Sequence, residues 1–151
     1  MIKIVLFAPE IPGNTGSIGR TCVALNFELI LIKPLGFDLS EKALRRAGLD
    51  YWKHVKLKIF ENWEEFLKLE NPSPHNLLFF EKDGKENFFT APYKNDSYLI
   101  FGRETSGFPP HFYDLYFNQM YFLPMDSSII RSLNLSNTVT AVAYQAINAL
   151  R

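Results

Sequence analysis

The chain predicts an α/β domain, with a mainly parallel sheet and flanking helices, and two observations carry that expectation. Short apolar runs alternate with stretches of helical periodicity, the pattern of strands that return through crossover helices. The length, 151 residues, suits one domain spanning 1–151 and suffices to bury a full core.

The elements follow in order. Residues 2–8 read as the first strand; Pro9, Pro12 and Gly13 mark a turn, and a helix carrying Ile18, Cys22 and Leu25 on one face comes next. Residues 29–32 are a strand closed by Lys33-Pro34 and Gly36. Ser40 caps a short helix with Glu41 in its first turn and Gly48 at its stop. Residues 55–60 are a strand, after which Asn62 and Glu65 form a capping-box pair opening a helix around Phe66 and Leu67. Residues 77–80 are a buried strand, Asp83-Gly84 a turn, 98–101 a strand ending at Gly102, and 121–123 the last short strand. Val139, Val142, Ala143, Ala146, Ile147 and Leu150 form the apolar stripe of a final helix.

Composition narrows the function classes. At 47% hydrophobic, with 14 Phe and 7 Tyr, the chain is built to fold. No apolar run approaches the roughly 18–20 residues of a membrane span, and residues 1–7 are too short for a secretory signal. Cys22, the sole cysteine, excludes an internal disulfide and a cysteine-based zinc site, and a reducing cytoplasm is the simplest compartment. His54, His75 and His111 are scattered and suggest no metal site. A formal net charge of zero and a pI near 6.8 weigh against non-specific coating of nucleic acid. Lys42, Arg45 and Arg46 stand at spacing i, i+3, i+4, with Lys53, Lys56 and Lys58 downstream; they form either a solvated face or a phosphate-binding patch. Tyr51 or Trp52 beside them could stack on an unpaired base or be buried at an interface between subunits.

Three loops are richer than scaffolding needs. Residues 12–21 form a glycine-rich turn between strand and helix, which would bare backbone N–H groups to an anion. A P-loop fails there, because five residues separate Gly13 from Gly19 and Arg20 follows, and a dinucleotide fingerprint fails because the second strand ends at Lys33. A tight turn capped by Asn14 or Thr15 is the plain alternative. Residues 99–109 follow a buried strand, where ligands of open α/β sheets sit; Gly102 and Gly107 let backbone approach a ligand, and Glu104 accepts hydrogen bonds. In residues 131–138, Ser136 or Asn137 is an ordinary N-cap, whereas Ser132 and Asn134 fall outside the helix and are free to meet a ligand.

Together these loops resemble the three motifs of the SPOUT superfamily of RNA methyltransferases. The nearest resemblance is to the tRNA (cytidine/uridine-2′-O)-methyltransferases of the wobble nucleotide, the TrmL family. Pro9-Glu10-Ile11-Pro12 with Asn14-Thr15-Gly16, then 44–51, Phe101-Gly102 with Glu104-Thr105, and Asn134-Leu135-Ser136-Asn137 carry it nearly end to end. The resemblance implies a C-terminal deep trefoil knot holding S-adenosylmethionine, here by Phe80, Gly102, Leu123, Ser132 and Leu133. It implies a homodimer whose first motif faces the partner's cofactor, and a tRNA anticodon stem-loop as substrate. Asn14, Arg20, Glu104, Ser132 and Asn134 match the family's catalytic positions. Tyr144 matches a position near RNA or the partner subunit, with helix packing as its plain alternative; Lys42, Arg45 and Arg46 become the candidate tRNA-phosphate patch. Arg103 stands where Pro is usual, Ser106 replaces a common Arg, Gly19 replaces an aliphatic residue, and the loop 126–130 is one residue longer than in relatives.

The chemistry so implied needs alignment more than acid–base machinery, because a sulfonium is already a good leaving group. Arg20 stays protonated and suits a clamp on the phosphate beside the target ribose, stabilising the forming alkoxide. A solvated Arg near a helix start would oppose the helix dipole. A non-catalytic RNA-binding module of the same fold, a 2′-O-methyltransferase of another tRNA or rRNA position, and a nucleotide-dependent α/β enzyme remain the alternatives.

Overall fold

A computed structural model describes residues 1–40, 42–43 and 49–151. The strands are β1 (Lys3–Phe7), β2 (Glu28–Ile32), β3 (Lys56–Phe60), β4 (Leu77–Phe80), β5 (Glu86–Asn87), β6 (Tyr98–Phe101) and β7 (Met120–Phe122). The longer helices are α1 (Pro12–Leu25), α2 (Trp63–Glu70), α3 (Pro110–Tyr116) and α4 (Leu135–Ala149). The helix expected after Ser40 lies largely outside the described residues, and with it Glu41, Arg45, Arg46 and Gly48.

Among the described residues the seven strands form one sheet in the order β3-β2-β1-β6-β4-β7-β5, with every pairing parallel. A parallel sheet must be covered on both faces, and β4 and β6 are buried throughout. Alternate residues point to opposite faces. Leu6, Leu31, Leu78 and Leu99 pack with Ile18 and Cys22 of α1 and Val139 and Val142 of α4. Val5, Ile30, Phe79 and Ile100 pack with Trp63 and Phe66 of α2 and Phe112 of α3. Much of the aromatic content is spent on this second face, where Phe79 stacks on Tyr116 at 4.5 Å and Trp63 lies 5.0 Å from Phe112.

Two features depart from the sequence reading. The glycine-rich stretch is not a bared turn: Gly13, Gly16 and Gly19 lie inside α1, which begins at Pro12. A Cβ on Gly19 would stand 2.5 Å from Trp52 Cζ3, and one on Gly16 3.1 Å from Leu49 Cδ1. Glycine here lets the 49–55 segment lie against the helix, which outweighs its poor helix propensity of about 1 kcal/mol per residue. Neither Asn14 nor Thr15 caps α1; its N-cap is Ile11, without a side-chain bond. Further on, α3 was hidden by Pro109-Pro110, although Pro110 occupies a first-turn position where a missing N–H costs nothing.

The chain runs outward from β1 through β2 to β3, then crosses to β4 and later inserts β6 between β1 and β4. The order therefore reverses between β1 and β6. Beyond the carboxyl ends of those two strands lies the crevice where open sheets bind ligands.

Candidate active site

The loops after β1 and β6 are locked to each other. Glu104 accepts hydrogen bonds from the Glu10 N–H at 2.9 Å and the Ile11 N–H at 2.8 Å. Its carboxylate thus serves the N-terminus of α1, where no residue of the helix does, and it suits the positive end of the helix dipole. In return Glu10 accepts from the Thr105 N–H at 3.1 Å and the Thr105 hydroxyl at 2.8 Å. Those Thr105 bonds, backbone first and hydroxyl second, hold the Glu10 carboxyl below its usual pKa.

Asn14 joins this lock to the loop before α4. It is buried; its amide donates to Glu104 at 3.4 Å, and its Oδ1 accepts from Asn134 Nδ2 at 3.1 Å. Asn134 also caps α4, accepting from the Asn137 N–H at 3.2 Å and the Ser136 hydroxyl at 2.6 Å. The expected cap at Ser136 or Asn137 is therefore two or three residues too late. Asn134 is the N-cap, and its side chain serves the fold as well as the crevice.

Beside this chain of contacts opens a cavity of about 450 Å³. Phe80, Gly102, Leu123, Ser132 and Leu133 all line it, with Glu104 at its rim. Phe80 is fixed by stacking on Phe101 at 5.2 Å; Ser132 and Leu133 are exposed and reach the cavity from the loop before α4. Gly102 also packs on its own chain: a Cβ there would meet the Gly107 carbonyl carbon at 2.6 Å, so glycine lets the two ends of the 102–107 loop lie together. Arg103 and Gly107 exchange backbone bonds at 3.1 and 3.0 Å, closing a tight loop in which Gly107 takes a φ of +66° that favours glycine. A more open groove of about 570 Å³, between Met1, Phe27 and Arg151, gathers none of the motif residues.

The remaining candidates stand apart from the cavity. Arg20 lies past the middle of α1, so the helix-dipole argument does not apply to it. It is exposed, with its guanidinium 5.6 Å from the Tyr51 ring centroid. Tyr51 donates its hydroxyl to the Gly16 carbonyl at 2.6 Å, and Trp52 packs on Gly19, so α1 engages both rings. Burial raises the Tyr51 pKa, against the pull of Arg20. Tyr144 is 56% exposed on α4, and Lys42 is exposed. Among the described residues no cluster of metal-ligating side chains occurs, and no helix is long and apolar enough to cross a membrane.

The sequence reading leaves out several residues of the cavity wall, Glu81 and Tyr113 among them: Glu81 follows β4 directly, a position the strand assignment alone marks as facing the crevice, and Tyr113 sits on the unforeseen helix α3.

Known proteins resemble this chain in sequence and in fold. A tRNA (cytidine(34)-2′-O)-methyltransferase of Yersinia pestis is 43% identical over 150 residues, covering 97% of this chain and 92% of that protein. A solved structure concerned with 2-OH methylation of C/U34 on tRNA is 38% identical, with a TM-score of 0.83 over 99% of this chain and 96% of the other. The SpoU methyltransferase AviRb from Streptomyces viridochromogenes, in complex with AdoMet, shares the fold at a TM-score of 0.78 and 21% identity, over 98% of this chain and 60% of its own. The SpoU rRNA Methylase family model matches residues 1–144, and the chain belongs to that family.

Proposed function

We propose that the chain is a tRNA (cytidine(34)/uridine(34)-2′-O)-methyltransferase, using S-adenosylmethionine to methylate the ribose 2′-hydroxyl of the wobble nucleotide in the anticodon stem-loop. The observation that carries this reading is the convergence of three motif loops on one cavity, tied by Glu104, Asn14 and Asn134. Relatives of matching length are named tRNA (cytidine(34)-2′-O)-methyltransferase.

The cavity fits the methyl donor. Its volume of about 450 Å³ is within the ordinary range for a small-molecule site. Its wall combines the apolar Phe80, Leu123 and Leu133 with Ser132 and the backbone of the 102–107 loop, a surface suited to a nucleoside. When bound, the donor supplies a methyl group already activated by its sulfonium.

The chain's own residues supply position and charge. Phe80, Leu123 and Leu133 bind the donor and exclude water, and Ser132 orients it by hydrogen bonding. Asn14, Glu104 and Asn134 are positioning residues: they bond to one another and hold the three loops in register. Arg20 is exposed and outside its own chain's cavity, which favours a homodimer in which it serves the partner's site. There it clamps the phosphate beside the target ribose and stabilises the developing alkoxide. Lys42, Arg45, Arg46 and Tyr144 contact tRNA beyond the reacting nucleotide. We further propose one domain over 1–151, a cytoplasmic setting, no metal, and a trefoil knot in the C-terminal segment. Insertion of β6 and β7 on the two sides of β4 supports the knot.

Transfer of labelled methyl from S-adenosylmethionine to unmodified tRNA, without added metal, tests the activity. Incorporation supports it; none at saturating tRNA contradicts it.

A further inference from the structure

The cavity wall holds a carboxyl group for which the mechanism above has no use. Glu81 follows β4, and its N–H donates to the Tyr121 carbonyl at 3.0 Å, so the β4–β7 ladder sets its place. Its side chain is half-buried and lines the cavity. A Cβ built on Gly107 would stand 3.9 Å from Glu81 Oε1 and 3.3 Å from the Tyr113 hydroxyl, so both groups overlook the bare face of that glycine. Lys82 and Asp83 from its own loop, Tyr113 from α3, Arg103 and Glu104 from the 102–107 loop, and Arg131 from the loop before α4 share the cavity. Tyr121 of β7 lies behind it. Among the described residues no ion pair engages Glu81. Burial, with the Asp83 carboxylate adding to it, raises the Glu81 pKa more than the Asp83 N–H, Tyr113 and Lys82 lower it. A half-buried carboxylate held by hydrogen bonds rather than by an ion pair is stabilised further by a ligand that brings a positive charge.

We propose that Glu81 takes the positive charge of the methyl donor and makes that charge, beyond the nucleoside, a determinant of cofactor affinity. The inference rests on the methyl-donor reading of the cavity. S-adenosylmethionine carries a sulfonium, an α-ammonium and an α-carboxylate and is net positive, whereas 5′-methylthioadenosine keeps the nucleoside with its sulfur as a neutral thioether and lacks all three charges.

Calorimetry on the purified protein and its Glu81→Gln variant, with each compound in turn, separates the possibilities. Glu81→Gln should weaken S-adenosylmethionine by about tenfold or more, the scale of a hydrogen bond to a charged group, and leave 5′-methylthioadenosine unchanged. The unsubstituted protein provides a second measurement. Its preference for S-adenosylmethionine over the neutral compound should fall as pH drops through the Glu81 titration, because a protonated carboxyl offers no charge. Equal loss of both ligands in Glu81→Gln, or a pH-independent preference, overturns the inference while leaving the cavity a nucleoside site. Failure of the unsubstituted protein to bind either compound overturns the methyl-donor reading, and the inference with it.

Discussion

Asn134 donates its side-chain amide to Asn14 Oδ1 at 3.1 Å, joining two residues 120 positions apart. Asn14 in turn reaches Glu104, so a single line of polar contacts crosses the crevice from the loop before α4 to the loop after β6. Polar residues at three sequence-distant loops thus act on one another before they act on any ligand. Each can be tested through the fold as well as through activity.

Asn134→Ala removes the N-cap of α4 and the Asn14 partner together. It should lower stability by about 0.5–2 kcal/mol, the cost of losing an asparagine cap. Asn134→Asp keeps a cap acceptor and should recover most of that loss. Urea unfolding of the two variants provides the comparison, and equal losses would mean that the cap contributes little.

How much of this was legible in the sequence depended on where each signal resides. β4 and β6 were readable to the residue, because Leu77–Phe80 and Tyr98–Phe101 are apolar runs bounded by polar or glycine positions. The start of α1 was not. Its glycines advertise a turn locally, and only the approach of Trp52 and Leu49 makes a helix the better solution. The cavity-lining set Phe80, Gly102, Leu123, Ser132 and Leu133 came from family resemblance rather than from spacing. The Glu104 carboxylate was visible as an acceptor, but its partners, Glu10 and Ile11, lie more than ninety residues away and are a product of the fold.

Gly13 of α1 and Gly107 of the 102–107 loop should respond in opposite directions. Among the described residues nothing lies within 4 Å of a Cβ added at Gly13, so Gly13→Ala should stabilise the protein by roughly 0.5–1 kcal/mol through helix propensity. Gly107 sits at a φ of +66°, so Gly107→Ala should cost about 1–2 kcal/mol. Thermal unfolding reads both. A destabilising Gly13→Ala would place an unrecognised contact at the N-terminus of α1.

Glu10 has a depressed pKa in the folded chain, so its contribution to stability is present above the ordinary value of 4.5 and is lost as pH falls through the lower folded value. Glu10→Gln should therefore narrow the difference in stability between neutral pH and pH values below 4.5. Thr105→Val, which removes the hydroxyl donor, should do the same in part. Denaturant unfolding across that range checks the sign, and an unchanged acid limb in both variants would exclude Glu10 from the loop lock.

Arg20 should separate catalysis from binding. Arg20→Ala should leave cofactor affinity nearly intact while slowing methyl transfer by about 10²–10³-fold, the scale for losing a strong charge-stabilising donor. Arg20→Lys should recover little, since a point charge cannot reproduce the guanidinium fork. Removing Lys42, Arg45 and Arg46 together should instead weaken tRNA binding, flatten its salt dependence and spare the rate at saturating RNA. Single-turnover transfer at varied tRNA concentration decides. A normal saturated rate for Arg20→Ala would make Arg20 a binding residue.

The most direct measurement is the position of the methyl group. Unmodified tRNA incubated with the protein and S-adenosylmethionine is cleaved by mild alkali, which spares the linkage after a 2′-O-methylated ribose. The expected result is one protected linkage, at nucleotide 34, in step with methyl incorporation. Methyl incorporation with no protected linkage, or protection only at another nucleotide, would contradict the proposed reaction.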